Sequence, residues 1–415
     1  MAMLKHKLVP AVLLAVIHGG LLADDLHYNN LLIGDRASGL GGAYTAISDD
    51  ASGMYYNPAG IVFTENLQLS ASANAFHRTE TIYKDVLNGD DWKRESESIV
   101  PNYFGMTTKL GDGYLGFSYT VTDFVNEDQD SEFTNIQDVS VYVINLINND
   151  KTTKFGPSYA RELNDEWDFG ITLYWHERDR DLTNNQFIRL DNGLFEWQNL
   201  FFETSESGYE PIIGLMWSPD DSLSFGLSVR KTYVTSSRTR FQATCSSNAA
   251  ATTPQCTPAG GLPKDPTIIT TRDERDHPLN VRLGVAYFHT QRLLYSADIS
   301  YFEEVDGSIF DAEEVINYAF GIEYYFNPLW AIRGGYYTNM ANTPEVSSGE
   351  LNQLDHVDLT GISLSISRFS KTSSVTLGFS LASGDGEAQI VTGSSQIQDV
   401  EQTIETLYLS TAYNF

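Results

Sequence analysis

Residues 401–415 alternate strictly between two faces, and this period of two is that of a β-strand. One face carries Leu407, Leu409, Thr411, Tyr413 and Phe415, and the other carries Thr406, Tyr408, Ser410, Ala412 and Asn414. The first face is apolar and ends on an aromatic residue, whereas the second is small and polar. Such a strand suits lipid on one side and a wet lumen on the other, so the pattern predicts an all-β protein, a transmembrane antiparallel β-barrel.

The N-terminus has the features of a secretory signal sequence. Lys5 and Lys7 precede an apolar run over 8–23 that is interrupted by Pro10 and ends in small residues. We predict a signal peptide over 1–23, cleaved after Ala23 or, alternatively, after Gly20. No later stretch approaches the ~20 apolar residues of a spanning helix. Membrane residence would therefore need the strands of a closed barrel.

The formal charge of −29 argues against nucleic-acid binding, because a polyanion repels the phosphate backbone. The acidity has two readings, solubility of exposed loops or attraction of divalent cations at the cell surface. Cys245 and Cys256, the two cysteines of the chain, fall in one long polar segment. An exported chain meets oxidising conditions, so we expect a local disulfide there, with two unpaired thiols as the alternative.

Alternation between turn residues predicts fourteen strands in a barrel over 67–415. The predicted spans are 67–77, 99–109, 114–124, 154–163, 167–177, 209–217, 222–232, 279–289, 292–302, 315–326, 329–338, 356–369, 373–382 and 402–415. An even number of strands puts both barrel ends in the periplasm.

The connections between these strands alternate between short and long. The short ones are 111–113, 164–166, 219–221, 290–291, 327–328 and 370–372, and the long ones are 78–98, 125–153, 178–208, 233–278, 303–314, 339–355 and 383–401. Bacterial barrels place short turns in the periplasm and long loops outside, which fixes the orientation. Trp167, Trp217 and Trp330 share the outward parity beside short turns, where an interfacial aromatic girdle is expected.

Residues 24–66 precede the first strand and do not alternate. They are rich in glycine and other small residues, and Asn57-Pro58 marks a turn. Such a segment could fit inside a lumen. Its motif residues are Gly34, Arg36, Gly39, Gly41, Gly42, Asp50, Asn57 and Pro58.

Over 34–60 the chain resembles the FadL/OmpP1/TodX family of outer-membrane transporters, and the signal, the strands and the terminal Phe415 are similar to its general plan. The resemblance implies that 24–66 is a hatch plugging the barrel. It also implies that hydrophobic ligands enter through outer loops and leave through a lateral opening in the wall. Long-chain fatty acids are the default ligand, although members of the family with other roles include accessory barrels of protein secretion.

Two predicted outer loops are unexpectedly apolar and could bind a ligand. One spans 139–147; in the other, apolar residues are spaced by three and four as on one helix face. Those considered as ligand contacts in the second are Phe187, Leu194, Trp197 and Phe201. The loops could pack on each other as a cap, or they could form a groove that collects an amphipathic ligand.

Inward parity places Arg230 and Arg282 near the outer ends of neighbouring strands, and it places Arg333 inward on the eleventh predicted strand. They could pair with a carboxylate head group. Alternatively, Glu323, Asp298 and other lumenal acids neutralise them.

Other classes fit the sequence less well. Asp276-His277 and Asp355-His356 lie near outer strand ends, but adjacent strand residues point to opposite faces, so neither pair is a ready catalytic dyad. Residues 39–43 lack the GxGxxG and GK[ST] patterns. We therefore expect no enzyme activity, cofactor or metal, and a general porin remains the main rival. The expected partners are a hydrophobic small molecule, outer-membrane lipid and the barrel assembly machinery, in the outer membrane of a Gram-negative cell.

Overall fold

The computed structural model describes residues 25–64, 67–87, 89–134, 136–248, 265–306, 311–351, 353–390 and 395–415. The predicted signal peptide and Cys256 lie outside these ranges. Cys245 is buried near the end of its strand, and its pairing with Cys256 stays a prediction. No helix in the described part of the chain is long and apolar enough to cross a membrane.

The described residues form seventeen strands in one antiparallel sheet. The strands of the first half are β1 Leu67–Leu87, β2 Asp90–Leu110, β3 Gly113–Phe133, β4 Val139–Glu162, β5 Trp167–Leu190, β6 Phe195–Asp220, β7 Leu223–Arg230 and β8 Tyr233–Ser247. Those of the second half are β9 Thr267–Thr271, β10 Asn280–Thr290, β11 Leu293–Phe302, β12 Val315–Asn327, β13 Trp330–Asn339, β14 His356–Val357, β15 Leu359–Phe369, β16 Ser373–Ala388 and β17 Gln398–Asn414.

The sheet closes into a fourteen-stranded barrel. In the described chain, β7 with β8, β9 with β10, and β14 with β15 are consecutive pieces of single barrel strands. Each barrel strand pairs with its sequence neighbours, and β1 pairs with β17 from Gln68–Asn414 to Tyr83–Val400. The predicted barrel class, strand number and short turns are confirmed.

The barrel has the predicted polarity. Leu377 and Leu409 are each 50% exposed on the outer surface, whereas Thr376 and Ser410 are buried inside. Apolar side chains outside and small polar ones inside match a wall between lipid and a filled lumen.

Aromatic side chains mark both edges of the apolar band. At the turn end, the Trp167 and Trp217 rings stack with centroids 5.7 Å apart. On the far side, Trp175, Tyr209 and Tyr233 face outward, and the Tyr209 and Tyr233 rings stack 5.3 Å apart. These two rows correspond to the interfacial girdles of a spanning barrel.

The strands of the first half are much longer than predicted. The stretches 78–98, 125–153 and 178–208, expected as loops, are largely the paired outer ends of β1 to β6. The loop prediction was wrong because alternation continues above the membrane with charges on the outer face. In β5, for example, Glu177 and Asp179 are exposed while Arg178 and Arg180 are buried. Above the outer aromatic row, the outer face of the barrel contacts water instead of lipid. Charged side chains on that face are therefore compatible with a β-strand.

Candidate functional site

The N-terminal segment, residues 25–64, lies inside the barrel. It contains α1 Asp35–Gly39, α2 Gly53–Tyr56 and a 3₁₀ helix Pro58–Phe63. Ile33, Leu40 and Met54 are fully buried, and they share one apolar core with wall residues such as Tyr174 and Ile212. The segment thus fills the lumen with a packed core, which fixes its position against the wall.

Glycines allow this segment to pack closely against the wall and against itself. Gly41 has φ +66°, and a Cβ on it would lie 3.1 Å from the backbone nitrogen of Tyr336. Gly34 has φ +84°, and a Cβ there would lie 2.4 Å from Cβ of Ser52. Both positions therefore require glycine, for backbone conformation and for space.

A cluster of three charged residues, Arg36, Glu323 and Arg333, joins the segment to the wall. Arg36 donates two hydrogen bonds to the Glu323 carboxylate, at 2.9 and 2.6 Å, and also binds Asp49. Arg333 donates from Nε to the same carboxylate at 2.5 Å. Glu323 thus neutralises Arg333, which agrees with the alternative in which lumenal acids neutralise the inward arginines. The same carboxylate attaches α1 to β12 and β13.

Other motif residues close the segment on itself and on the wall. The Asn57 amide donates to the carbonyl oxygens of Thr45, at 2.8 Å, and Leu215, at 3.1 Å, and its Oδ1 atom caps the 3₁₀ helix. The Asp50 carboxylate accepts a hydrogen bond from the Ser52 backbone N–H at 2.7 Å.

Arg230 and Arg282 lie close together, as predicted, on the outer side of α2. The Arg230 guanidinium sits 4.6 Å from the centroid of the Tyr55 ring and donates to the Tyr55 carbonyl oxygen. Arg282 donates to Asn29 at 3.1 Å and lies 5.6 Å from the Tyr56 ring. A cavity of about 30 Å³ adjoins Arg282, which is room for about one water molecule.

The predicted apolar loops are strands. Residues 139–147 belong to β4, and Phe187 of β5 pairs with Trp197 of β6, so the expected helical face is wrong. Phe187, Trp197 and Phe201 are half-buried on the outer face of this hairpin, and Leu194 lies in its turn. The sheet itself lies between these outward-facing side chains and the lumen.

The inward residues of the same region form an outer apolar cluster, of which the sequence singled out only the part within 139–147. Its larger members are Tyr83, Trp92, Phe133, Tyr142, Ile144, Leu146, Val357 and Ile404. The cluster combines the outer ends of both halves of the barrel, which explains why single segments of the sequence revealed only part of it.

A polar chamber lies between this cluster and the N-terminal segment. Its larger cavity, about 150 Å³, is lined by residues including Asp25, Lys154, His176, Arg275 and His277. Burial alone would raise the pKa of Asp25, but Arg178 and Arg275 hold it below its usual range. Burial and the neighbouring Arg275 lower the pKa of His277 to about 4, so this ring is neutral at pH 7.

The wall has an interrupted seam between β2 and β3. In the described chain, ladder pairing of these strands runs from Leu110–Gly113 to Tyr103–Thr120. Farther out, side chains bridge them: the Asn126 backbone N–H donates to Ser96 Oγ at 2.8 Å, and Arg94 pairs with Glu127 at 2.7 Å. Because side-chain bridges replace the backbone ladder, this is a weak line in the wall.

The histidine pairs considered for catalysis serve other contacts. His277 binds Glu206, His356 Nδ1 lies 2.6 Å from the Thr343 carbonyl oxygen, and Asp355 accepts a hydrogen bond from the Tyr83 hydroxyl at 2.7 Å.

Fold and lumen together define an antiparallel transmembrane β-barrel that contains its own N-terminal segment. No protein-family model matches the chain, and no curated protein matches it. Several solved structures match the chain.

The CymD monoaromatic hydrocarbon channel is 14% identical, with 94% of this chain and 99% of that chain covered and a TM-score of 0.62. The Pseudomonas putida toluene transporter TodX is 15% identical, covering 94% and 100%, with a TM-score of 0.63. A Pseudomonas aeruginosa FadL homologue is 12% identical, covering 94% and 100%, with a TM-score of 0.65. The chain therefore has the fold of the FadL and TodX barrels over nearly its whole length, as the motif resemblance implied.

Proposed function

We propose that this protein is an outer-membrane channel for the passive uptake of hydrophobic compounds. The observation that carries the proposal is the arrangement along the barrel axis, in which a lumen filled by the N-terminal segment lies beneath an apolar outer cluster. A diffusion porin needs an open aqueous path, whereas a filled lumen with an apolar outer end suits a ligand that partitions from water. The monoaromatic hydrocarbon channel CymD and the FadL homologue, which have this fold, support the same class.

Within this function, the N-terminal segment acts as the hatch, and long-chain fatty acids are the proposed ligands. The seam between β2 and β3 is the proposed exit, because the backbone ladder is already interrupted above Tyr103. Arg230 and Arg282 are proposed to receive a carboxylate head group, which would replace their present contacts to Tyr55 and Asn29. Passive movement down a gradient needs no cofactor.

The outer cluster provides a test with a matched control on one strand. Ile144 is 1% exposed and points into the cluster, whereas Ile147 on the same strand is 43% exposed on the outer surface. We expect Ile144→Asn to reduce uptake of labelled oleate and of toluene by expressing cells at least tenfold, because an unpaired amide would then line the apolar path. Ile147→Asn should transport normally.

Both variants should first be shown to assemble by the heat-dependent mobility of the barrel in gels. Equal uptake by the two assembled variants would contradict the assigned path, and steady ion conductance by the unmodified protein would favour a porin.

A further inference from the structure

Three side chains from distant parts of the sequence converge on the wall of the polar chamber. His176 Nε2 lies 2.8 Å and His277 Nε2 lies 3.2 Å from the same atom, Oε1 of Glu206. The ligand atoms of the three groups all lie within 4.8 Å of one another. The centroids of the two imidazole rings are 5.6 Å apart and their planes meet at 75°.

The spacing is close to that of a metal site. Zinc binds imidazole nitrogen at 2.0–2.1 Å and carboxylate oxygen at a similar distance, so neighbouring ligand atoms in a tetrahedral site lie about 3.3 Å apart. The two separations from Glu206 Oε1 differ from that value by roughly half an ångström or less, and the ligand nitrogens of the two imidazoles lie within 4.8 Å of each other. Small side-chain rotations would therefore open a position for an ion between the three groups.

We propose that His176, Glu206 and His277 bind a divalent transition-metal ion, of which Zn²⁺ suits the ligand set best. Two imidazoles and one carboxylate provide three protein ligands and leave the remaining coordination positions to water. The 150 Å³ cavity beside His176 and His277 has room for that water.

The protons in this cluster are compatible with binding. Without a metal, each Nε2–H donates to Glu206, whereas with a metal each ring must carry its proton on Nδ1 and offer the Nε2 lone pair. The Nδ1 atom of His176 is buried and, among the described residues, has no hydrogen-bond partner. That nitrogen can take the proton with water in the adjoining cavity as its acceptor.

The surrounding charges both oppose and support a cation. Arg275 lies 3.7 Å from Oε2 of Glu206 and also pairs with Asp25. The Arg275 charge favours the ionised form of Glu206 from the Oε2 side, and Oε1 is the oxygen that faces the two imidazoles. Lys154 is neutralised by Glu210 at 2.6 Å, so it adds little net repulsion.

A bound ion would join the segment 272–279 to the barrel wall. His176 and Glu206 belong to β5 and β6, whereas His277 lies in the segment between β9 and β10. The ion would thus fasten this segment over the chamber at the level of the outer aromatic row. This inference is independent of the transported ligand.

The test uses purified full-length protein in detergent, stripped with a chelator and titrated with Co²⁺, followed by displacement with Zn²⁺. We expect one Co²⁺ per chain with visible absorption that Zn²⁺ abolishes. Glu206→Gln and His277→Gln should weaken binding at least tenfold. Glu203→Gln on the exposed face of the same strand and His289→Gln in the exposed end of β10 should bind as the unmodified protein does.

A second measurement follows the fastened segment. Zn²⁺ should slow tryptic cleavage after the exposed Arg272 in the unmodified protein and leave the rate unchanged in His277→Gln. The proposal is overturned if the unmodified protein binds no stoichiometric Co²⁺, or if Glu206→Gln and Glu203→Gln bind it equally. If the site variants fail to assemble, stoichiometry and protection in the unmodified protein still decide the question.

Discussion

At the scale of single residues, Glu323 holds the N-terminal segment. Its side chain is 1% exposed and accepts hydrogen bonds from two arginines, one on the segment and one on the wall. Inward parity alone identified Glu323 and Arg333 as possible partners. The third member, Arg36, could not be paired from the sequence because its position depends on how the segment enters the lumen.

We expect Glu323→Gln to destabilise the barrel by about 3 kcal/mol, because it removes the shared counter-charge and leaves Arg36 with Asp49 alone and the buried Arg333 with Asp35 at 3.8 Å. The free energy of unfolding, measured by urea denaturation in lipid vesicles, checks this value. Glu314→Gln, just before the same strand and exposed, is the control and should change stability by less than about 0.5 kcal/mol. Similar free energies of unfolding for the two variants would show that Glu323 does not stabilise the barrel through these ion pairs.

Arg282 tests head-group recognition by charge. A charge-assisted hydrogen bond contributes about 1.5–3 kcal/mol, so Arg282→Ala should weaken oleate binding about ten- to a hundredfold while toluene binds nearly as before. Titration in detergent measures both affinities, with Arg292→Ala in the exposed turn after β10 as the control. Equal losses for oleate and toluene would mean that Arg282 only supports Tyr56 and Asn29.

At the scale of elements, the sequence predicted strands well inside the membrane and poorly outside it. Within the band, lipid on one face and the lumen on the other impose an apolar and polar alternation that is visible in each strand, as in β16 and β17. Above the band, both faces tolerate charge, so the outer half of β5 reads as a loop. Cross-strand pairing such as Phe187–Trp197 then decides the structure.

The contacts between elements were the least accessible from sequence. The seam above Tyr103 depends on which backbone groups pair, and a one-residue irregularity in β3 between Val121 and Asp123 accompanies it. The His176, Glu206 and His277 cluster was missed because its members lie on three elements and show no ligand spacing along the chain. A weak signal existed in His176 and Glu206, both inward by parity near the ends of adjacent predicted strands.

At the scale of the whole molecule, the filled lumen makes a prediction about ion flow. Removing residues 25–64, while keeping the signal and the barrel, should raise ion conductance in planar bilayers because wall side chains alone leave the lumen open. Single-channel recordings of the deletion and the full chain provide the comparison. Unchanged conductance from a folded deletion barrel would mean that the segment does not block the pore.

The pairing of the first barrel strand with the last also sets an order of assembly. The Phe415 N–H donates to the Leu67 carbonyl oxygen at 3.0 Å, and the pairing of β1 with β17 closes the wall. Residues 25–64 lead directly into that first strand, and their packed core leaves little room for later threading. The segment must therefore be in position when β1 pairs with β17. A chain truncated before β17 would leave β1 with an unpaired edge, and its open sheet could not enclose residues 25–64.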